Sequence, residues 1–180
     1  MRWGPLTGLA TIVSAWWVKG PLLLTVAACG DLRAAARRIT LGARIPSAFA
    51  AAAIAFVIAS AANAGLKDLF QRERPPTADV DLSAVVSLPA SYSFPSGHAM
   101  TAFAAAIAVV RPELRWLALG LAAAVAMTRP YLGVHFWSDV IVGAGLGAVV
   151  GIAVGRLVLA GCRVKRRNMR AGPAEAGLGT

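Results

Sequence analysis

From Ile45 to Leu66 the chain runs for 22 residues that are nearly all apolar. At about 1.5 Å of rise per residue such a run spans about 33 Å as a helix, enough to cross the hydrocarbon core of a bilayer. It has companions. Ala99 to Val110 and Leu114 to Met127 are shorter apolar segments separated by Arg111-Pro112-Glu113, and Trp137 to Ala160 is longer. An earlier segment, residues 5–32, is broken by Trp16, Trp17, Lys19, Gly20 and Pro21. Tryptophan and lysine suit the membrane–water boundary and proline suits the first turn of a helix. Residues 5–18 are therefore expected to lie as an interfacial stretch and residues 21–38 to form a span. Composition agrees, with 58% hydrophobic and only 14% charged residues, against about 45–50% and about 25% in soluble domains. The expected fold is all-α, a polytopic membrane helical bundle of about five transmembrane helices. Residues 1–170 make a single membrane-embedded domain, and residues 171–180 a disordered Gly/Ala/Pro-rich tail.

A net charge of +10 would suit nucleic acid, but its distribution excludes that partner. The arginines cluster at the ends of apolar runs, at 33, 37, 38 and 44 and again from 163 to 170, where membrane topology requires them. With five spans, the connections at 31–44 and 111–115 and the tail at 161–170 share one face. The positive-inside bias makes that face cytoplasmic. Residues 67–95 and 129–136 then face outward, with the N-terminus outside and the C-terminus inside. Cys29 and Cys162 fall on the reducing side and are expected as free thiols. Nothing at the N-terminus reads as a cleavable signal. Glycines at 143, 147, 151 and 155 are spaced for close helix approach.

Three blocks with chemistry lie on the outward face. In "KDLFQRERP", Lys67 and Arg74 are two helical turns apart, and Pro75 ends the element. Read alone, this is a pair of headgroup anchors. In "SFPSGHAM", Ser93 can cap, Pro95 fits the first helical position, and Gly97 allows close approach. The N–H groups of Ser96, Gly97 and His98 would then open the positive end of a helix toward an anion. Read alone, it is a helix start with a histidine at the surface. In "TRPYLGVHFWSD", His135 and Asp139 share a face if helical, so the carboxylate can hold one ring nitrogen and orient the other. Read alone, it caps the last span. Arg129 stands at the mouth of the same loop. Together the blocks place both histidines of the chain, three cations and a helix N-terminus on one side of a membrane. Such a set can transfer a phosphoryl group without a metal, and the scattered acidic residues form no ligand cage.

Lys67-x6-Arg74-Pro75, Pro95-Ser96-Gly97-His98 and Arg129-x5-His135-x3-Asp139 resemble the three-part signature of the type-2 phosphatidic-acid phosphatases, the lipid phosphate phosphatase superfamily. The resemblance spans residues 20–160. It implies an all-helical membrane enzyme with an extracytoplasmic active site and no cofactor, hydrolysing a lipid phosphate or diphosphate through a phosphohistidine. It further implies His135 as the nucleophile, Asp139 as its orienter and His98 as the general acid. Lys67, Arg74, Arg129 and the Ser96–Gly97 backbone would hold the phosphate oxygens. Thr128 stands where members commonly have serine, which keeps a hydroxyl, and five spans stand where members usually have six. The substrate class covers polyprenyl diphosphate, polyprenyl-phosphate sugars, phosphatidate and phosphatidylglycerophosphate. Two other readings share the signature. A soluble vanadium haloperoxidase is disfavoured by the apolar spans, and a lipid-phosphate binder or transporter would not need both histidines. The Ala/Arg/Gly bias suggests a bacterial source.

Overall fold

The computed structural model describes residues 48–75, 90–109 and 112–171, with Gly8, Leu24, Ala27, Ala28 and Asp31 before them. Within these residues the regular secondary structure is all helical. The elements are α1 (Ala48–Phe70), α2 (Gly97–Ala108), α3 (Pro112–Tyr131) and α4 (Trp137–Ala171). The expected segments at 45–66, 99–110, 114–127 and 137–160 each find their helix. Apart from Gly8, Leu24, Ala27, Ala28 and Asp31, the interfacial stretch at 5–18 and the span at 21–38 lie outside the described residues, as do Cys29, the side chain of Cys162 and the tail beyond 171. A five-helix count therefore becomes a four-helix description. Of the four, α1 and the Trp137–Gly161 part of α4 are long and apolar enough to cross a membrane. The apolar helix α2 has only 12 residues, and α3 carries Glu113, Arg115 and Arg129.

Alanine, the best helix former, dominates α1, and its first turn is held from upstream. The Asp31 carboxylate accepts hydrogen bonds from the N–H groups of Ala48 (2.9 Å) and Phe49 (3.0 Å). A carboxylate there meets both the unpaired donors and the dipole of the helix start. The buried residues of α1 are Ala48, Ala51, Ala52, Ala55, Ala59 and Asn63, one face at helical spacing. Its large side chains, among them Phe49, Ile54, Val57 and Ile58, point outward. Small inside and large outside reverses the pattern of a soluble bundle and matches helices packed in lipid.

The bundle is built around α2. Ten of its residues are buried, because α1, α3 and α4 all pack on it. The close contact with α4 depends on glycine. A Cβ at Gly143, Gly147 or Gly151 would stand 2.6 Å from the Ser96 carbonyl, 2.2 Å from the Met100 carbonyl or 2.6 Å from the Ala104 carbonyl. These are backbone atoms that cannot swing away, so the expected small-residue contact is real at these three positions. The contact also fixes how high α2 rides on α4, and Gly143 bears directly on the residue that opens α2. The last helix runs through the basic residues to Ala171, eleven residues past the apolar segment.

Candidate functional site

The three blocks converge at one end of this bundle, by local structures that differ from the expected ones. Lys67 sits in the last turn of α1, but the helix stops at Phe70 and does not carry Arg74. Gln71 takes φ +44°, the left-handed conformation that commonly ends helices, and its N–H closes on the Lys67 carbonyl at 3.0 Å. The chain then runs without regular structure, and Lys67 and Arg74 meet at Ser91. The two cations meet because the helix ends between them. Both reach the 91–92 segment: Lys67 Nζ donates to Ser91 Oγ (3.1 Å) and to the Tyr92 carbonyl. Arg74 Nε donates to the Ser91 carbonyl (2.9 Å) and Nη1 to the Val134 carbonyl (2.7 Å).

The second block also differs in detail. The residue before α2 is Ser96, not Ser93, and its hydroxyl makes no capping bond. Pro95 precedes it, joined to Phe94 by a cis peptide, and Gly97 takes the first helical position. The Ser96 N–H is not directed at an anion, for it donates to the Asp139 carbonyl at 3.0 Å. Gly97 and His98 are the first two residues of the helix, where N–H groups have no acceptor within the helix itself. Asn63 braces this turn from α1: its Nδ2 donates to the Pro95 carbonyl at 3.0 Å, and its Oδ1 would stand 2.6 Å from a Cβ at Gly97. A larger residue there would displace the Asn63 amide from its bond to Pro95.

The third block begins in the last turn of α3, which carries Arg129, and turns at Leu132–Gly133, where Gly133 has φ +70°. His135 lies in the turn ahead of α4 and Asp139 in the first turn of α4, so they do not share a helical face as expected. The pairing forms nonetheless. Asp139 Oδ2 accepts the Phe136 N–H at 3.0 Å, capping α4, and the same oxygen lies 3.4 Å from His135 Nδ1. The other ring nitrogen, Nε2, faces Arg74 Nη1 at 3.4 Å. With a carboxylate at Nδ1 and a guanidinium N–H at Nε2, the neutral ring carries its proton on Nδ1 and a lone pair on Nε2. The charge surroundings favour that neutral ring. Burial, followed by the cations of Arg74, Arg129 and Lys67, holds His135 well below its ordinary pKa, with Asp139 pulling the other way. Burial likewise lowers Arg74, against Asp139.

A cavity of about 200 Å³ opens here, lined by Lys67, Arg74, Gly97, His98, Arg129 and His135 together with Ser60, Asn63, Ala64 and Ser91. Six of the eight expected site residues thus share one wall, while Ser96 and Asp139 stand behind it, both fully buried. Four of the lining residues were not expected. Asn63 and Ser60 had a signal, as polar side chains inside an apolar run; Ala64 and Ser91 had none. Three buried polar side-chain atoms find no hydrogen-bond partner among the described residues: Ser96 Oγ, Arg129 Nε and His135 Nδ1. All three belong to the site. Buried polar atoms are rarely left so, and such bonds often tighten only when a substrate arrives.

A family model described as the PAP2 superfamily matches residues 46–161, a stretch that contains all three blocks. The chain belongs to the PAP2 superfamily. Among its PAP2 relatives is the decaprenylphosphoryl-5-phosphoribose phosphatase of Mycobacterium tuberculosis strain H37Rv. It is 40% identical over 107 residues, 59% of this chain and 55% of the relative. The chain therefore spans about half the length of that protein. The protein of the same description from Mycolicibacterium smegmatis is 36% identical over 147 residues, 79% of this chain and 73% of that one. The fold is shared with a crystal structure described as the first transmembrane PAP2-type phosphatidylglycerolphosphate phosphatase from Bacillus subtilis. That match has a TM-score of 0.62 at 23% identity, over 97% of this chain and 82% of the other. Family, helical fold and membrane character thus agree with the expectations drawn from the three blocks.

Proposed function

We propose that this PAP2 chain is a membrane phosphatase that cleaves a phosphate from a lipid-linked substrate in two displacements. The observation that carries the reading is His135, whose Nε2 opens on a cavity ringed by Lys67, Arg74 and Arg129 while Nδ1 faces Asp139. In the first step Nε2 attacks phosphorus, an N–P bond forms, and the P–O bond to the leaving group breaks. His98, on the same wall, gives that oxygen its proton. In the second step water loses a proton to His98 and attacks phosphorus, the N–P bond breaks, and inorganic phosphate is released. The three cations and the start of α2 meet the charge on the equatorial oxygens.

A lipid-linked substrate is supported by the apolar exterior of the bundle and by the relatives' names, which favour a polyprenyl-phosphoryl sugar phosphate among the four classes expected. At about 200 Å³ the cavity is smaller than the roughly 300–1,000 Å³ typical of whole-ligand pockets, so it suits a headgroup and leaves the chain outside. Phosphate release from such lipids should persist in excess EDTA and fall with orthovanadate, which mimics five-coordinate phosphorus. Loss on chelation with recovery in magnesium would sink the reading.

The same reading puts the site on the extracytoplasmic face and the C-terminus in the cytoplasm, supported by the arginine clusters at 33–44 and 163–170. In a background with both cysteines replaced by serine, Thr77→Cys should react with an impermeant thiol reagent in intact cells. Asn168→Cys should react only after permeabilisation, and the opposite pattern would invert the topology.

A further inference from the structure

Behind the cavity wall, Asp139 is wholly buried, and each of its carboxylate oxygens has different partners. Oδ2 accepts from the Ser93 hydroxyl and the Phe136 N–H and faces His135 Nδ1. Oδ1 accepts from Arg72 Nη1 at 2.7 Å. Arg72 is two residues before Arg74 and is specified by none of the three blocks. Its Nη1 also donates to Ser138 Oγ at 2.8 Å, its guanidinium carbon lies 4.1 Å from the centroid of the Phe136 ring, and its carbonyl accepts the Ser93 N–H at 2.7 Å. One residue thus ties together the segment after α1, the segment before α2 and the start of α4.

A carboxylate can turn about its Cβ–Cγ bond and exchange its oxygens. With Arg72 on Oδ1, the oxygen left toward His135 is Oδ2. We propose that Arg72 is a positioning residue for phosphoryl transfer, fixing the Asp139 carboxylate and through it the ring of His135. The proposal rests on the reading of His135 as the nucleophile. Arg72 does not line the cavity, so it acts on the nucleophile and not on phosphate binding. Arg72 is 39% exposed but its partner Asp139 is wholly buried, so removing Arg72 leaves a buried carboxylate without that cation and lowers the melting temperature as well. Its role in positioning is therefore read from kcat against KM in protein that is still folded.

The test is a mutant cycle on the full chain in detergent, with p-nitrophenyl phosphate as substrate and orthovanadate as inhibitor. Arg72→Met should lower kcat by about 10–100-fold, the scale of a misplaced reacting group. KM and vanadate inhibition should stay within about twofold, because Lys67, Arg74 and Arg129 are untouched. Arg72→Lys should restore part of kcat, since it keeps the charge but not the planar fork. In an Asp139→Asn background, adding Arg72→Met should cost less than about threefold, the non-additivity expected of residues acting through one another. Should Arg72→Met not be recovered folded, Arg72→Gln completes the same cycle. Wild-type kcat in the single variant, a full multiplicative loss in the double, or KM and vanadate inhibition weakening in step with kcat would each overturn the proposal. His135→Ala run in parallel separates the two readings. Turnover surviving in that variant removes the nucleophile itself, whereas a dead His135→Ala beside an unaffected Arg72→Met removes only the role of Arg72.

Discussion

His135→Ala should abolish turnover of every phosphate ester offered, by on the order of 10⁴–10⁶-fold, and leave no phosphoenzyme to trap. A nucleophile is required whatever group departs, so the loss should not depend on the leaving group. His98→Ala should behave differently. A general acid contributes about 10²–10⁴-fold, and only when the departing oxygen bears negative charge poorly. With a lipid alkoxide the variant should be crippled; with an aryl phosphate the initial burst of phosphoenzyme should be largely spared. The burst is the quantity to follow, because in the proposed mechanism His98 also serves the attacking water and steady turnover mixes the two steps. Equal slowing of the burst for both leaving groups would make His98 a phosphate-positioning residue.

Arg129→Met should lower kcat/KM by about 10²–10³-fold, the usual cost of removing one fixed donor from a site of developing charge. Arg129 is 3% exposed and its Nε meets no acceptor among the described residues. A buried guanidinium with an unsatisfied Nε costs stability. The same substitution should therefore raise the melting temperature while it destroys activity, the trade expected where function is held against folding. Vanadate inhibition should weaken in parallel with kcat/KM. Arg129→Lys should fall between, since a point charge replaces a fork. A kcat/KM near that of the native protein in Arg129→Met would remove Arg129 from the phosphate clamp.

The chemistry of the site was more legible than its geometry. Lys67, Arg74, His98, Arg129 and His135 could be picked out because a charged or titratable side chain at the edge of an apolar run has few other reasons to be there. Spacing along an imagined helix was a poorer guide. Arg74 meets Lys67 at Ser91 after a left-handed Gln71 and a stretch without regular structure, and His135 precedes the helix that Asp139 begins. Helical and non-helical routes can deliver the same pair, and the sequence does not distinguish them. Ser93 was read as a cap when it serves Asp139, and Ser96 lends its N–H to the start of α4 and not to an anion. Both assignments depend on how α2 and α4 pack, a tertiary fact with no local signal. The helices at 48–70, 97–108, 112–131 and 137–171 were legible because alanine propensity and apolar length agree. The supporting Arg72 was not, since it looks ordinary until its partner is known, and Asn63 was marked only as a polar side chain inside an apolar run.

The brevity of α2 has a consequence for how a substrate must arrive. Twelve residues make a helix about 18 Å long, while the hydrocarbon core is about 30 Å thick. The helix starts at the phosphate cavity and ends at Ala108. A helix of that length with its C-terminal end at one surface of the core leaves its first residue about 12 Å inside the other. In that placement His98 and His135 would stand at the bottom of a well among the upper carbons of the surrounding tails. A lipid anion drifting along the surface would then descend before reacting, shedding water on the way toward the cavity that Lys67, Arg74 and Arg129 line. Such a descent would be a desolvation step ahead of any bond making, with local bilayer thickness one of its governing variables.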